Sequence, residues 1–220
     1  MENIQSKVKE NESLELRILE AAKTLFAKNG YKKTHISDIA VAVGINRPTL
    51  HYYYRTKDML FEAVFAQLIQ SFIPKVELIT TENIPIEDKV DRIIDEYISI
   101  YIDNPYLPQF VISEIQRDPD YLMSVMEKLH FDKYLQILEN MIKNEIEKEK
   151  MKPIPSSVIF LSFFGQLVSP FLVKNILLKL FLKEEDNFVP FLYEWKGYVK
   201  RQMKILLFDY KKEYENNITE

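Results

Sequence analysis

Side chains able to make directional hydrogen bonds crowd into the short stretch from Arg47 to Lys57, among them Arg47, Thr49, His51, Tyr52, Tyr53 and Lys57. An arginine can grip two acceptors on a base edge at once, while lysine and tyrosine suit phosphate oxygens. This is a chemistry of reading rather than of bond making, and it needs a rigid element to aim it. The elements can be read from the residues. Ile36, Ile39, Ala40 and Val43 recur at spacings of three and four, which places them on one face of a helix that Thr34 is positioned to cap. Gly44 follows the last apolar position and allows a sharp turn. Asn46 can then cap a second helix with Pro48 in its first turn and Leu50 and Tyr53 or Tyr54 inward. Two helices joined through a glycine turn, the second short and rich in hydrogen-bonding groups, form the helix-turn-helix pattern, whose second helix enters the major groove.

Gly30, Tyr31, Thr34, Ile39, Ala40, Gly44, Ile45, Thr49, Leu50, Tyr52, Tyr53, Lys57 and Leu60 stand in an order and spacing that resembles the DNA-binding signature of TetR/AcrR-type transcriptional regulators. His51 replaces the tyrosine usual in that signature, Tyr54 the usual phenylalanine, and Pro48 a frequent glycine or alanine. The resemblance covers roughly the first quarter of the chain and implies an all-α fold, a dimer on a palindromic operator in double-stranded DNA, and release by a small-molecule effector. The expected DNA-binding residues are Thr34, His35, Arg47, Pro48, Thr49, His51, Tyr52, Tyr53 and Lys57. Position assigns their roles: Arg47, Thr49 and His51, early on the second helix, face base edges, whereas Tyr52, Tyr53, Lys57 and Thr34 meet phosphate.

Charge is divided accordingly. From Lys28 to Lys57 six basic residues face only Asp38, whereas the whole chain carries a formal charge of −4, so a basic head precedes an acidic body. A head of this sign is drawn to phosphate, and a body of the opposite sign is kept from it. The 220 residues, 47% hydrophobic and 13% aromatic, suffice for a full core. Cysteine is absent, which excludes disulfides, thiolate metal sites and a cysteine nucleophile and fits a cytoplasmic setting; the polar N-terminus lacks an apolar signal core.

Helical spacing predicts about nine helices and no sheet: a three-helix head over residues 1–56 and a helical effector-binding and dimerisation body over 57–220. The first helix runs from about Ser13 to Asn29. The fourth starts after Thr56, buries Leu60, Phe61, Val64, Phe65, Leu68 and Phe72, and is disturbed at Pro74. Body helices follow over Ile86 to Asp103, up to Arg117, and Pro119 to about Lys150. Two last helices cover Ser156 to Leu182 and Val189 to Tyr214. The uncharged run 153–173 reaches membrane-spanning length, yet its four serines, Gln166 and Pro170 favour a buried helix over a membrane span. In the regulators it resembles, the last two helices pair with those of a second copy, which implies a homodimer seam through Phe164, Phe171, Leu178, Trp195, Val199 and Leu206.

Catalysis has little to stand on. The three histidines lack metal-ligand spacing, no glycine-rich phosphate loop or G-x-S-x-G occurs, and Asp91 with Asp95, at i,i+4, read as a solvated face. The expectation is neither an enzyme nor a carrier of metal or cofactor. Aromatic and methionine side chains, among them Tyr106, crowd the body instead, and an effector is expected against Tyr97, Tyr101, Phe110, Glu114, Tyr121, Phe131, Phe163 and Gln166; ordinary core packing uses the same side chains. Two functions remain open: a ligand-responsive repressor, or an adaptor on the same fold that has exchanged DNA for a protein partner. Arg47, Tyr52, Tyr53 and Lys57 favour the first, since an adaptor has no need of phosphate-binding groups.

Overall fold

The structure, a computed structural model, describes residues 2–105 and 107–208, with no side-chain detail for 2–12 or Phe72. Phe72, Tyr106 and the expected end of the last helix at Tyr214 therefore lie outside the described residues. Every regular element among those described is helical: eleven α-helices, one five-residue π-turn and one 3-10 turn. The chain divides into two compact units, residues 1–71 with 109–129 and residues 72–108 with 130–220.

The first unit begins with α1 (Glu2–Lys33), which breaks at Gly30, where φ 77 and ψ 164 lie outside helical space and cost a glycine little. Its buried stripe is Ile18, Ala22 and Phe26. α2 (Ile36–Val43) ends at Gly44 in the left-handed region, and the Arg17 guanidinium from α1 donates to the orphan Val43 carbonyl at 2.7 Å. α3 (Arg47–Tyr53) is capped by Asn46, whose Oδ1 accepts from Thr49 N at 2.8 Å. Leu50 and Tyr54 turn inward, and the Tyr54 hydroxyl donates to Glu15 at 3.0 Å.

α4 (Lys57–Thr81) is capped by Thr56 Oγ1 on Met59 N at 3.1 Å. It is not interrupted at Pro74 as expected but continues to Thr81. The missing proline N–H leaves the Gln70 carbonyl without its usual helical partner, and both residues are exposed, so water can take its place. α4 is long and apolar enough to cross a membrane, but Leu60, Phe61, Val64 and Phe65 are core residues. Completing this unit are residues 109–129, which bring most of α6 (Leu107–Arg117) and all of α7 (Pro119–Lys128). Phe110 and Tyr121 pack their rings 5.5 and 5.7 Å from Phe61. The packing division thus falls inside α4, beyond the boundary expected at 56, and returns for a second segment.

In the second unit, α5 (Ile86–Asp103) faces α11 (Phe188–Leu207). The helix expected from Pro119 to Lys150 is two: after α7, His130 adopts φ 55 and α8 (Phe131–Glu147) begins anew, with no glycine or proline to announce the break. The helix expected over Ser156 to Leu182 is also broken. α9 (Ser156–Leu172) ends at Val173, and α10 (Lys174–Leu177) continues as a π-turn over Leu178–Leu182 at an angle of 61°. Pro170 weakens the last turn of α9 by removing the N–H that would bond the Gln166 carbonyl. The Trp195 indole of α11 supplies the missing donor, Nε1 to Gln166 O at 2.9 Å.

Candidate nucleic-acid interface and the helical body

α3 presents one outward face. Arg47, Pro48 and Tyr52 are exposed, and Thr49, His51 and Tyr53 are half-buried beside them. The face is organised internally. Arg47 Nε donates to His51 Nε2 at 3.1 Å, and His51 Nδ1 lies 3.1 Å from the Arg55 carbonyl. Thr49 places both its N–H and, at 2.7 Å, its hydroxyl on Asn46 Oδ1. Tyr52 and Tyr53 meet edge to face with centroids 5.4 Å apart. His35 is exposed at the start of α2, where its N–H donates to Asp38 Oδ2 at 3.1 Å; it holds the cap position expected for Thr34.

Two of the expected phosphate contacts are turned inward. Thr34 is fully buried, and its hydroxyl donates to the carbonyls of Gly30 at 2.9 Å and Leu25 at 3.1 Å. It ties off the carbonyl groups left open where α1 breaks. Lys57 is half-buried, donates to the Tyr31 and Thr34 carbonyls at 3.0 and 3.2 Å, and sits 4.2 Å above the Tyr31 ring. Its ammonium therefore braces the junction of α1, α2 and α4 instead of standing free for DNA.

A polar cluster lies behind this brace that no spacing rule marked out. The Tyr31 hydroxyl donates to Asp58, and the Arg117 guanidinium lies 4.4 Å above the Tyr31 ring. Arg117 Nε bonds Glu114 Oε2 at 2.6 Å, and Glu114 is fully buried. Burial, and then the Asp58 hydrogen bond, hold the Tyr31 phenol well above its ordinary value. Tyr121 is pushed up to about 12, first by burial and then by the carboxylates of Asp58 and Glu62. The i,i+3 spacing of Glu114 and Arg117 was the one signal available in the sequence.

The expected effector contacts consequently separate. Phe110, Glu114 and Tyr121 belong to the first unit, and Glu114 answers Arg117 rather than a pocket. Tyr97, Tyr101, Phe131 and Phe163 belong to the second, where they are brought together. Tyr97 meets Phe163 at 5.1 Å and Tyr101 at 6.2 Å, and Phe131 meets Tyr134 at 5.2 Å. The Tyr97 and Tyr134 hydroxyls lie 3.0 Å apart over a core of Val76, Ile79 and Ile93. Gln166 directs Nε2 at Met203 Sδ, 3.7 Å away, while its Oε1 is buried without a hydrogen-bond partner. A separate open groove of about 310 Å³ lies between α5 and α11, lined by Asp95, Glu96, Ser99, Asp103, Tyr193 and Lys196 among others, and none of the expected effector contacts borders it.

Asp91 and Asp95 form no free solvated face: Asp91 pairs with Lys204 at 2.8 Å, and Asp95 with Lys196 and Lys200 at 2.8 and 2.7 Å. Burial opposes ionisation of Asp95, but hydrogen bonds from the two lysines outweigh it and lower its pKa. The seam residues also divide. Phe171 and Val199 are buried within the chain's own core, so they cannot face a second copy; Trp195 is half-buried and anchored on α9. Phe164, Leu178 and Leu206 are partly exposed, beside the more exposed Phe160, Leu161, Leu180, Phe181 and Ile205. Apolar spacing alone does not separate seam from core, and the seam residues buried inside the chain serve the core.

Residues 18–64 match the family described as bacterial regulatory proteins, tetR family. The fatty acid metabolism regulator protein of Bacillus subtilis is 23% identical over 137 residues, 62% of this chain and 70% of its own length. The negative transcriptional regulator IcaR of the biofilm operon icaADBC of Staphylococcus epidermidis is 26% identical over 121 residues, 52% of this chain and 64% of its own. Among solved structures, the transcriptional regulator FadR from Bacillus subtilis in complex with stearoyl-CoA shares the fold, with a TM-score of 0.65 and 18% identity over 84% of this chain and 96% of that one. A glycine-turned helix pair with an exposed polar second helix defines a helix-turn-helix regulator of transcription. Within that class, the head over residues 18–64 is similar to that of the tetR family.

Proposed function

We propose that the protein binds a palindromic operator as a homodimer in the cytoplasm, represses transcription, and is released when a small molecule with a long apolar tail enters the second unit. The observation that carries the DNA reading is the outward face of α3, where Arg47, Thr49, His51, Tyr52 and Tyr53 stand on a helix held from behind by Leu50, Tyr54 and the Asn46 cap. An adaptor would have no use for this set. Support for the dimer comes from the exposed apolar residues of α9, the π-turn and α11, a type of surface that obligate homodimers bury.

The effector class rests on two supports. Relatives include a fatty acid metabolism regulator and a fold neighbour bound to stearoyl-CoA. The interior of the second unit is lined by aromatic rings, with Met141, Phe163 and the paired Tyr97 and Tyr134 hydroxyls, and Gln166 Oε1 offers an unsatisfied acceptor. Release follows from geometry. Paired recognition helices must sit about one duplex turn apart, roughly 34 Å or a multiple, so a shift of a few ångströms suffices to lose the match. The chain passes between the two units at residues 71–72, 108–109 and 129–130, and α4 is unbroken across the first of these, which gives an effector three covalent routes to the head.

Selection of bound duplexes from a random pool is the test. A palindrome enriched by the wild-type protein, and released by a long-chain acyl-CoA, is the expected result. Failure to enrich any duplex would favour the adaptor. Equal acyl-CoA affinity with and without operator would remove the release mechanism, because linkage makes the two effects reciprocal.

A further inference from the structure

The recognition helix holds its main reading side chain by a clamp. Arg47 occupies the first position of α3, where residues reach base edges, yet an exposed arginine on a flexible stem samples many rotamers. Here its Nε donates to His51 Nε2 at 3.1 Å, one helical turn on. A guanidinium nitrogen has no lone pair to offer, so Nε2 must be the acceptor and carry no proton. The neutral ring then bears its proton on Nδ1, which lies 3.1 Å from the Arg55 carbonyl, a group that can only accept. Both contacts demand the same tautomer, and the imidazole bridges the start of α3 to the turn that follows it. With Nε occupied, the two terminal nitrogens of Arg47 remain as an end-on fork, the arrangement that matches the O6 and N7 acceptors of guanine.

We infer that His51 is a positioning residue rather than a base-contacting one: as the neutral Nδ1–H tautomer it orients Arg47 to read a guanine, and protonation of the ring unlocks that reading. The inference rests on the proposed operator binding and goes beyond it. The charged groups against His51 are Arg47 on its own helix and, through the carbonyl, Arg55 in the following turn; both are cationic. A protonated ring has two donors and no acceptor, so it cannot hold Arg47 Nε, and it adds a third positive charge at the DNA face. Selectivity and total affinity must therefore move in opposite directions on acidification. Preference for guanine at the Arg47 position falls, while attachment to any duplex strengthens and grows more salt-dependent.

Two measurements test the inference. On the free protein, two-bond ¹H–¹⁵N correlation spectra report the ring tautomer without DNA; the Nδ1–H form is expected at neutral pH, and the Nε2–H form would overturn the clamp. On DNA, duplex selection compares wild type with Arg47→Ala, His51→Ala and His51→Gln. His51→Ala should relax the same base position as Arg47→Ala, by roughly tenfold in discrimination, within the range expected for one bidentate contact. His51→Gln keeps an acceptor near the Nε2 position, so it should restore the preference. As the medium is acidified until the ring is protonated, the wild-type preference should decay and that of His51→Gln should stay flat. Relaxation at a different base by His51→Ala would make His51 a base reader and sink the proposal. No enrichment by the wild type would instead count against operator binding itself, and the tautomer spectrum would still decide the clamp.

Discussion

Two surfaces of this chain stand uncovered, and they are chemical opposites. α3 exposes hydrogen-bonding groups, each aimed by a neighbour: Arg47 by His51, Thr49 by Asn46, Tyr52 against Tyr53. α9, the π-turn and α11 expose Phe160, Leu161, Leu180, Phe181 and Ile205 among others, which have no polar group to direct. A surface that discriminates among similar partners needs fixed donors, because an unmatched donor is costly. A surface that must only exclude water needs area. Under the proposed function, the first unit supplies specificity and the second cohesion.

The largest effect should come from crossing the two chemistries. Phe164→Asp places a charge in the apolar surface, where burial without a partner costs several kcal/mol. Sedimentation should show the wild type as a dimer at micromolar concentration and the variant as a monomer, and a dimeric variant would move the seam elsewhere. Next are two buried donors, one in each unit. Thr34→Val removes the hydroxyl donor from the Leu25 and Gly30 carbonyls, and Trp195→Phe leaves the Gln166 carbonyl only the longer 3.4 Å bond from the Ser169 hydroxyl, each at a cost of about 1–3 kcal/mol in unfolding free energy. Thr34→Val should leave the salt dependence of DNA binding untouched, and a lowered salt slope at full stability would return Thr34 to the phosphate face.

Lys57→Ala should destabilise the first unit by about 1 kcal/mol, the usual worth of a hydrogen bond, with little change in salt slope. A slope reduced by about one per subunit would mean that Lys57 leaves Tyr31 to meet phosphate. The smallest effect concerns pH. Asp95 has a lowered pKa in the folded chain, so its contribution is complete above the unfolded value near 3.9 and is lost as pH falls through the lower folded one. The pair is partly exposed and worth at most about 1 kcal/mol. Acid titration of the unfolding midpoint should show Asp95→Asn losing less stability than the wild type below about pH 4. An identical acid limb in both proteins would assign the loss to other carboxylates.

The DNA-reading pair was legible because its signals are local. Gly44, Asn46, Pro48 and the Ile39–Val43 face each act within four residues of their own position, and the structure places each of them as that chemistry requires. What was not legible depends on partners distant in sequence. Thr34 looks like a helix cap from its neighbours, but Leu25 and Gly30 claim its hydroxyl. Phe110 and Tyr121 look like body aromatics, but Phe61 claims their rings. Apolar periodicity marked Phe171 and Val199 as buried and could not say by what; α5 and α11 of the same chain were enough. The break after Leu172 escaped because a proline near a helix end can be absorbed or can terminate it. α4 absorbs one at Pro74, whereas α9 ends shortly after Pro170.

Pro170, Gln166 and Trp195 carry a consequence for how the sequence can change. The tryptophan is needed because the proline vacated a carbonyl, so the cost of altering either depends on what occupies the other position. With alanine at 170 the helix would satisfy its own carbonyl and Trp195→Phe would become nearly harmless; with proline in place the same change leaves that carbonyl only the 3.4 Å bond from the Ser169 hydroxyl. Because the acceptor is a backbone carbonyl, the coupled character consists of the residues at 170 and 195, on two helices. A lineage that loses the proline first is free to lose the tryptophan later, but the reverse order passes through a weakened intermediate.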